Sequence, residues 1–360
     1  MTAQELLHIR IIGPDERVYD AAKTHFDHLA KPIDGLGDLE DLICRIAAIQ
    51  NRENPDISRK ALVILCADNG VVQEGVSQTG QDVTARVAEL MAENRSSVGA
   101  MTRGYPLDII PVDIGIHADA AIPGVRNCRI ARGTDNMVCA SAMTAEACLK
   151  AIETGISLVR ECAVKGYGII ATGEMGIGNT TSSTAVYCAL TGEKPEQVTG
   201  RGAGLSDEGL ARKQKVIERA LTFHQLYGRE AVTPEDALDV LARVGGFDIA
   251  GMVGLYIGGA LYRIPMVIDG LISAVAALLA ERILPGTAGY MLASHTGKEQ
   301  GTGRVLRQLG LKPVLDAGLA LGEGTGAVLP FPVLDMAMSL YNHGISIQET
   351  EIDAYERFQI

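Results

Sequence analysis

Four short apolar runs, each closed by a glycine- or aspartate-bearing segment, limit what this chain can become. ALVILC (61–66), LDIIPV (107–112), YGIIAT (167–172) and IPMVID (264–269) are followed by ADNG, DIG, GEMGIG and DGL, with longer helical patterns between them. Strands that are apolar throughout are buried on both faces, and strands separated by helices pair in parallel. The expected fold is α/β, a parallel sheet with helices on both faces. Ligands of such sheets sit at the C-terminal strand ends, where the four segments lie. The first 60 residues, broken at KPIDGLGDLE (31–40), and the stretch from Asp335 onward have a helical pattern. We expect residues 1–60 and 331–360 to form a small helical domain beside a large α/β catalytic domain, 61–330.

Composition removes several function classes. A formal charge of -12 over 360 residues leaves no basic field for nucleic acid. An anionic small substrate must then be held by local donors rather than by the charge of the whole protein. The N-terminus has no apolar run behind a basic start, so no signal peptide is read. The most apolar stretch, Ile264 to Leu284, contains Asp269, Glu281 and Arg282, and is expected to be a buried strand and helix rather than a membrane span. Seven cysteines in apolar settings, with no CxxC pair, are expected to be free buried thiols in a cytoplasmic protein. No D-x-D cluster or His pair accompanies the acidic loops, so neither a metal nor a cofactor is expected.

The most informative segment is GEMGIGNTTSS (173–183), directly behind a strand. Its spacing approaches G-x-x-x-x-G-K-[ST], but Asn179 stands where the lysine should be, so the counter-charge for a triphosphate is missing. A glycine turn opening a helix still suits one monophosphate. Glu174 inside this loop is unusual, because a carboxylate repels phosphate. Taken alone, the string also fits a plain glycine turn between strand and helix. GRGAGLSDEGLARK (200–213) brings Lys213 onto a helix behind a glycine loop, within reach of a phosphate across the cleft or simply solvated. ASHTGKEQG (293–301) offers Ser294, His295 and Lys298, and His295 is expected to be a hydrogen-bonded loop residue. Glu323, between Gly322 and Gly324 in ALGEGTGAVLP (320–330), has apolar neighbours that would raise its pKa toward a general base, or a helix N-terminus that would hold it ionised. Asp68, Asp113, Asp248 and Asp269 follow strands or turns and are expected to cap them, with Asp248 the one that also fits a role in the site.

Taken together, CADNGVVQEGVS, PVDIGI, PGVRNCRIARGT, GEMGIGNTT, LARVGGFDIAGMVG, PMVIDGL, ASH and LGEGTGA occur in this order. The series resembles the nicotinate-nucleotide:dimethylbenzimidazole phosphoribosyltransferase family, including its phenol- and cresol-using relatives, over roughly residues 30–335. The resemblance implies a Rossmann-like sheet, a small helical domain from both chain ends, and a homodimer or a heterodimer with a paralogue. It implies transfer of 5-phosphoribose from nicotinate mononucleotide to a cobamide lower-ligand base. Glu323 would be the general base and Glu174 a second acid. Gly176, Gly178, Asn179, Thr180, Gly202, Ala203, Lys213 and Ser294 would hold the ribose phosphate. Thr79, Gln81, Val87, Met175 and Leu321 would line the aromatic base. Two departures stand out: Asn69 replaces the His of the family's ADHG string, and SQTGQDVTARV (77–87) differs from commoner versions, which bears on the identity of the base. The alternative is a non-catalytic or partner-dependent paralogous subunit. A dinucleotide-binding dehydrogenase is disfavoured because GEMGIGNTT lacks the third glycine of G-x-G-x-x-G.

Overall fold

The computed structural model describes residues 1–202, 204–351, 353 and 355. Its main sheet contains β1 (Lys60–Ala67), β2 (Asp108–Gly115), β3 (Arg126–Asn127), β4 (Ile169–Met175), β5 (Met266–Ile268) and β6 (Met291–Ala293). The strand order is β3-β2-β1-β4-β5-β6, and every pair is parallel. The parallel sheet expected from the four apolar runs is present, with β3 and β6 as further strands, and its order is the doubly wound Rossmann-like one that the resemblance implies. A separate two-stranded parallel ribbon joins β7 (His295–Gly297) to β8 (Leu315–Leu319).

All eight residues of β1 are buried, which is why the run carries no polar alternation. Alternate side chains serve opposite faces, as the two-residue repeat of a strand requires. Ala61, Val63, Leu65 and Ala67 enter one hydrophobic cluster, and Leu62, Ile64 and Cys66 enter the other. On the first face the helices Ala145–Val164 and Phe247–Tyr262 cross at backbone contact. A Cβ on Gly155 would stand 2.1 Å from the Gly251 carbonyl, and one on Gly254 would stand 2.0 Å from that of Ile152. Some of the chain's 41 glycines are thus a packing requirement.

The second face is covered by the helices Glu16–Asp27, Asp38–Gln50 and Pro330–His343, whose apolar sides share a cluster with Leu62, Ile64, Ile169 and Ala171. Lys60 Nζ, nearly inaccessible to solvent, meets Asp335 Oδ1 at 2.9 Å, tying the C-terminal helix to the first residue of β1. The short helix Ala3–Leu7 departs from this grouping, since Leu6 joins the cluster on the opposite face. The stretch 264–284 forms β5 and the buried helix Leu271–Ile283, and no helix among the described residues is long and apolar enough to cross a membrane. Five of the seven free thiols are buried, whereas Cys128 is half-buried and Cys139 exposed, contrary to the sequence expectation. These two lie in the irregular segment after β2, where apolar neighbours in sequence do not guarantee a covering layer.

Candidate active site

The strand order reverses direction between β1 and β4, which opens a crevice at their C-terminal ends. From β1 the chain enters it as Asp68 and Asn69, and from β4 as Glu174 to Gly178. Gly176 lies where the two exits touch, since a Cβ there would stand 2.0 Å from the Ala67 carbonyl oxygen and 3.2 Å from Asp248 Oδ2. Gly176→Ala should therefore force the two strand ends apart. The expected loss of stability is about 1–3 kcal/mol, read as a lowered midpoint in urea unfolding. Gly178, at φ 95°, turns the chain into the buried helix Asn179–Thr191. Thr84, from the helix Asp82–Ala92, donates to Asp68 Oδ1 at 2.6 Å and accepts the Ile177 N–H at 3.2 Å. That hydroxyl holds both exits together.

Two carboxylates meet at one amide. Asn179 Nδ2 donates to Glu174 and, at 3.0 Å, to Asp248 Oδ2. Glu174 keeps some accessible surface, but protein surrounds its carboxyl on most sides. That burial, reinforced by the charge of Asp248, pushes its pKa up to about 8. Burial also lifts Asp248 to about 6, against the stabilising hydrogen bond from Asn179. Carboxyl groups in such settings are the ones that exchange protons near neutrality.

Glu323 reaches the same crevice from the loop between β8 and the short helix Thr325–Val328. Gly322, Glu323 and Gly324 all have positive φ (87°, 60° and 76°), an αL run that holds a non-glycine residue at some conformational cost. The run packs directly on β4: a Cβ on Gly173 would stand 3.0 Å from the Gly324 nitrogen, and one on Gly322 would stand 3.0 Å from Glu174 Oε1. Asp269, at the end of β5, anchors the following turn by accepting the Ala327 N–H at 2.9 Å. The burial that the sequence argument assigned to Glu323 is found at Glu174 instead. Glu323 is half-buried, and its Oε2 accepts the Val98 N–H at 3.2 Å at the start of the short helix Ser97–Met101.

The first turn of the helix Asn179–Thr191 also carries a contact to a cation. Lys213, 1% exposed on the helix Asp207–Phe223, donates to Thr180 Oγ1 at 2.8 Å and to the Gly200 carbonyl at 3.2 Å. Burial lowers its pKa to about 8, and Glu299 nearby opposes the shift. A buried ammonium whose hydrogen bonds, among the described residues, go to neutral oxygens is a ready partner for an anion. Gly202, at φ 52°, leaves the space beside it open, since a Cβ there would stand 3.1 Å from Thr180 Oγ1 and 3.5 Å from Lys213 Nζ. Ala203 lies outside the described residues.

Other expected residues are engaged differently. The Asn179 amide is taken up by carboxylates. The Ser294 hydroxyl donates to the Ile268 carbonyl and meets His295 Nδ1 at 2.8 Å. His295 is buried, with its pKa lowered first by that burial, and its ring lies where a Gly326 side chain would be. Met175 and Val87 are half-buried against one hydrophobic cluster. Gln81 precedes the helix Asp82–Ala92, Thr79 is exposed, and Leu321 is 53% exposed on the stretch following β8. Of the four capping aspartates, Asp113 behaves as expected, accepting the Ile116 N–H at 2.9 Å. Asp68 binds the backbone of another segment at His117, and Asp269 takes a backbone N–H of its own turn, Gly270, as well as that of Ala327. Asp248 serves the site. Thr84, Val98 and Glu299 were missed, because nothing in their local sequence marks a partner more than 80 residues away.

The family model for a phosphoribosyltransferase matches residues 11–352. The nicotinate-nucleotide–dimethylbenzimidazole phosphoribosyltransferase of Acetivibrio thermocellus is 41% identical over 94% of this chain and 94% of its own length. The protein of the same name from Chloroflexus aggregans is 40% identical over 96% of both chains. The crystal structure of CobT from Thermus thermophilus superposes with a TM-score of 0.85 at 36% identity, covering 92% of this chain and 98% of that one. Paired carboxylates and a buried ammonium at a doubly wound crevice, in a chain matched over nearly its whole length, lead to one assignment: this protein belongs to the phosphoribosyltransferase family and is a pentose-transferring enzyme.

Proposed function

We propose that the enzyme moves 5-phosphoribose from nicotinate mononucleotide to an aromatic base, dimethylbenzimidazole first among them, with release of nicotinate. The observation that carries this reading is the division of the crevice into an anion corner (Lys213, Thr180, Gly202) and an acidic corner (Glu174, Glu323). The ribose phosphate lies at the first, with its reacting carbon turned toward the second. Contacts to phosphate, remote from the bond that breaks, fix the sugar for attack. A base nitrogen attacks the anomeric carbon with its lone pair. The bond to the pyridinium nitrogen breaks, and nicotinate leaves with that electron pair as a neutral pyridine ring. Positive charge grows on the sugar between these events, and the nearby carboxylate of Glu323 stabilises it. The attacking base then needs to lose the proton on its second ring nitrogen, and Glu323 takes it. Attack on the face opposite the departing ring gives the α-riboside phosphate.

Val87 and Met175 form an apolar wall for the base. Such a wall discriminates weakly between ring systems, because it has no donor or acceptor to be left unpaired. Phenol and cresol are therefore expected to be accepted after benzimidazoles. Purified chain incubated with nicotinate mononucleotide and a panel of bases should yield the α-riboside phosphates, identified by mass. If the isolated chain makes no product with any base, but does so once a paralogous subunit is added, the partner-dependent reading replaces this one. Val87→Gln should raise the benzimidazole-to-phenol ratio of kcat/KM, and an unchanged ratio would remove Val87 from the wall.

A further inference from the structure

Behind Glu174 lies a chain of buried groups that the transfer reaction does not itself require. Asn69 and Asp248 are both fully buried. Ser182 donates to Asn69 Oδ1 at 2.7 Å, which orients the amide. Asn69 Nδ2 and Asp248 Oδ1 make no hydrogen bond to any third group among the described residues, and the Asn69 amide acts on the Asp248 carboxylate by holding its pKa down. Both side chains border Gly246, where a Cβ would stand 2.5 Å from Asn69 Oδ1 and 2.6 Å from Asp248 Oδ1. The other oxygen of Asp248 shares the Asn179 amide with Glu174. The order is thus Ser182, Asn69, Asp248, Asn179, Glu174, running from the interior to the crevice.

This arrangement has an electrostatic consequence. Two carboxylates joined by one neutral amide, away from bulk water, do not both ionise at neutral pH. The charged groups facing Glu174 are Asp248 from the helix Phe247–Tyr262, Asp269 from the end of β5 and Glu299 from the turn before the helix Gln300–Gln308, and all are acidic. Glu323 lies in the loop that Glu174 touches. A fully ionised crevice would repel a substrate that carries a phosphate and a carboxylate.

We propose that Asp248, steadied by Asn69 and acting through Asn179, is a positioning residue that keeps Glu174 protonated, so that Glu174 meets the anionic nucleotide as a neutral donor. Oε2 accepts from Asn179, so the proton resides on Oε1, on the side of the Gly322–Glu323 loop. This role rests on the reading above, in which the nucleotide lies against Glu174. It also accounts for a glutamate inside a phosphate-type loop, since a protonated carboxyl donates a hydrogen bond instead of repelling.

The test reads the proton itself, in the full-length protein without substrate. Infrared spectra recorded against pH should show, at pH 7, a protonated-carboxyl C=O band that disappears in Glu174→Gln. In Asp248→Asn and in Asp248→Ser that band should be lost at a pH at least one unit lower than in wild type. A merely structural Asp248 would leave the titration in place even if it lowered the melting temperature. Absence of the band in wild type at pH 7 overturns the proposal, as does an unmoved titration in whichever Asp248 variant folds. No nucleotide enters this measurement, so a failure here leaves the proposed reaction standing. A protein with the band intact that makes no riboside phosphate sinks the reaction instead.

Discussion

Glu323→Gln protein should fold and melt like the wild type and turn over about 10²–10⁴-fold more slowly, the range expected for loss of a general base. Gln has the same shape, and its carbonyl can keep the Val98 N–H that Glu323 Oε2 now accepts. The αL conformation at φ 60° is equally strained for either side chain, so the substitution changes proton affinity and little else. The loss should fall on kcat more than on KM for either substrate, because proton removal from the base is completed after binding. It should also be smaller for a base already presented as its anion. Turnover near wild type, with an unaltered melting curve, would take Glu323 out of the chemistry.

Lys213→Met should raise the KM for nicotinate mononucleotide roughly 10- to 150-fold at pH 7 and leave the KM for the aromatic base nearly unchanged. The figure follows from about 1.5–3 kcal/mol for a hydrogen bond to a charged group, at about 1.4 kcal/mol per tenfold. Met keeps the apolar stem of a side chain that is 1% exposed, so the cavity left behind is small. pH provides the second readout. Lys213 is charged below its pKa of about 8 and loses that charge as pH rises through it. Glu174 gains a negative charge over the same interval. Both changes weaken binding of an anion, so the wild-type KM should climb above pH 8. In Lys213→Met only the part due to Glu174 remains, and the climb should be shallower. An equal rise in KM for both substrates would move Lys213 away from the phosphate.

Much of this was legible in the sequence, for identifiable reasons. The run at β1 is buried on both faces, so its composition alone marked it as an interior strand, and the segment behind it was placed at the crevice by the geometry of parallel sheets. Glu174, Lys213 and Glu323 each stood beside glycines that the structure shows to be sites of close approach or open space. What could not be read was which carboxylate is desolvated. Glu323 has the more apolar sequence neighbours, yet a backbone N–H faces it, whereas Glu174 is crowded by Asp248 from a helix more than 70 residues later. The resemblance implies that Asn179 holds the ribose phosphate, and the two acids that its amide also bridges come from distant segments that only the fold brings together. Thr84 carries no local signal at all, since its role is to join two strand exits that lie far apart in the chain.

The reversal of strand order between β1 and β4 has a kinetic meaning as well. The two strands that frame the crevice are separated by β2, β3 and three α-helices, one of 20 residues, and Glu323 arrives only after the whole sheet has been laid down. Contacts between such distant segments form after the local helices, because closing a long loop must precede any gain from the contact. A nascent or partly refolded chain can therefore possess nearly all of its helix before it possesses an active site. Competence is acquired last, when the final third of the polypeptide docks.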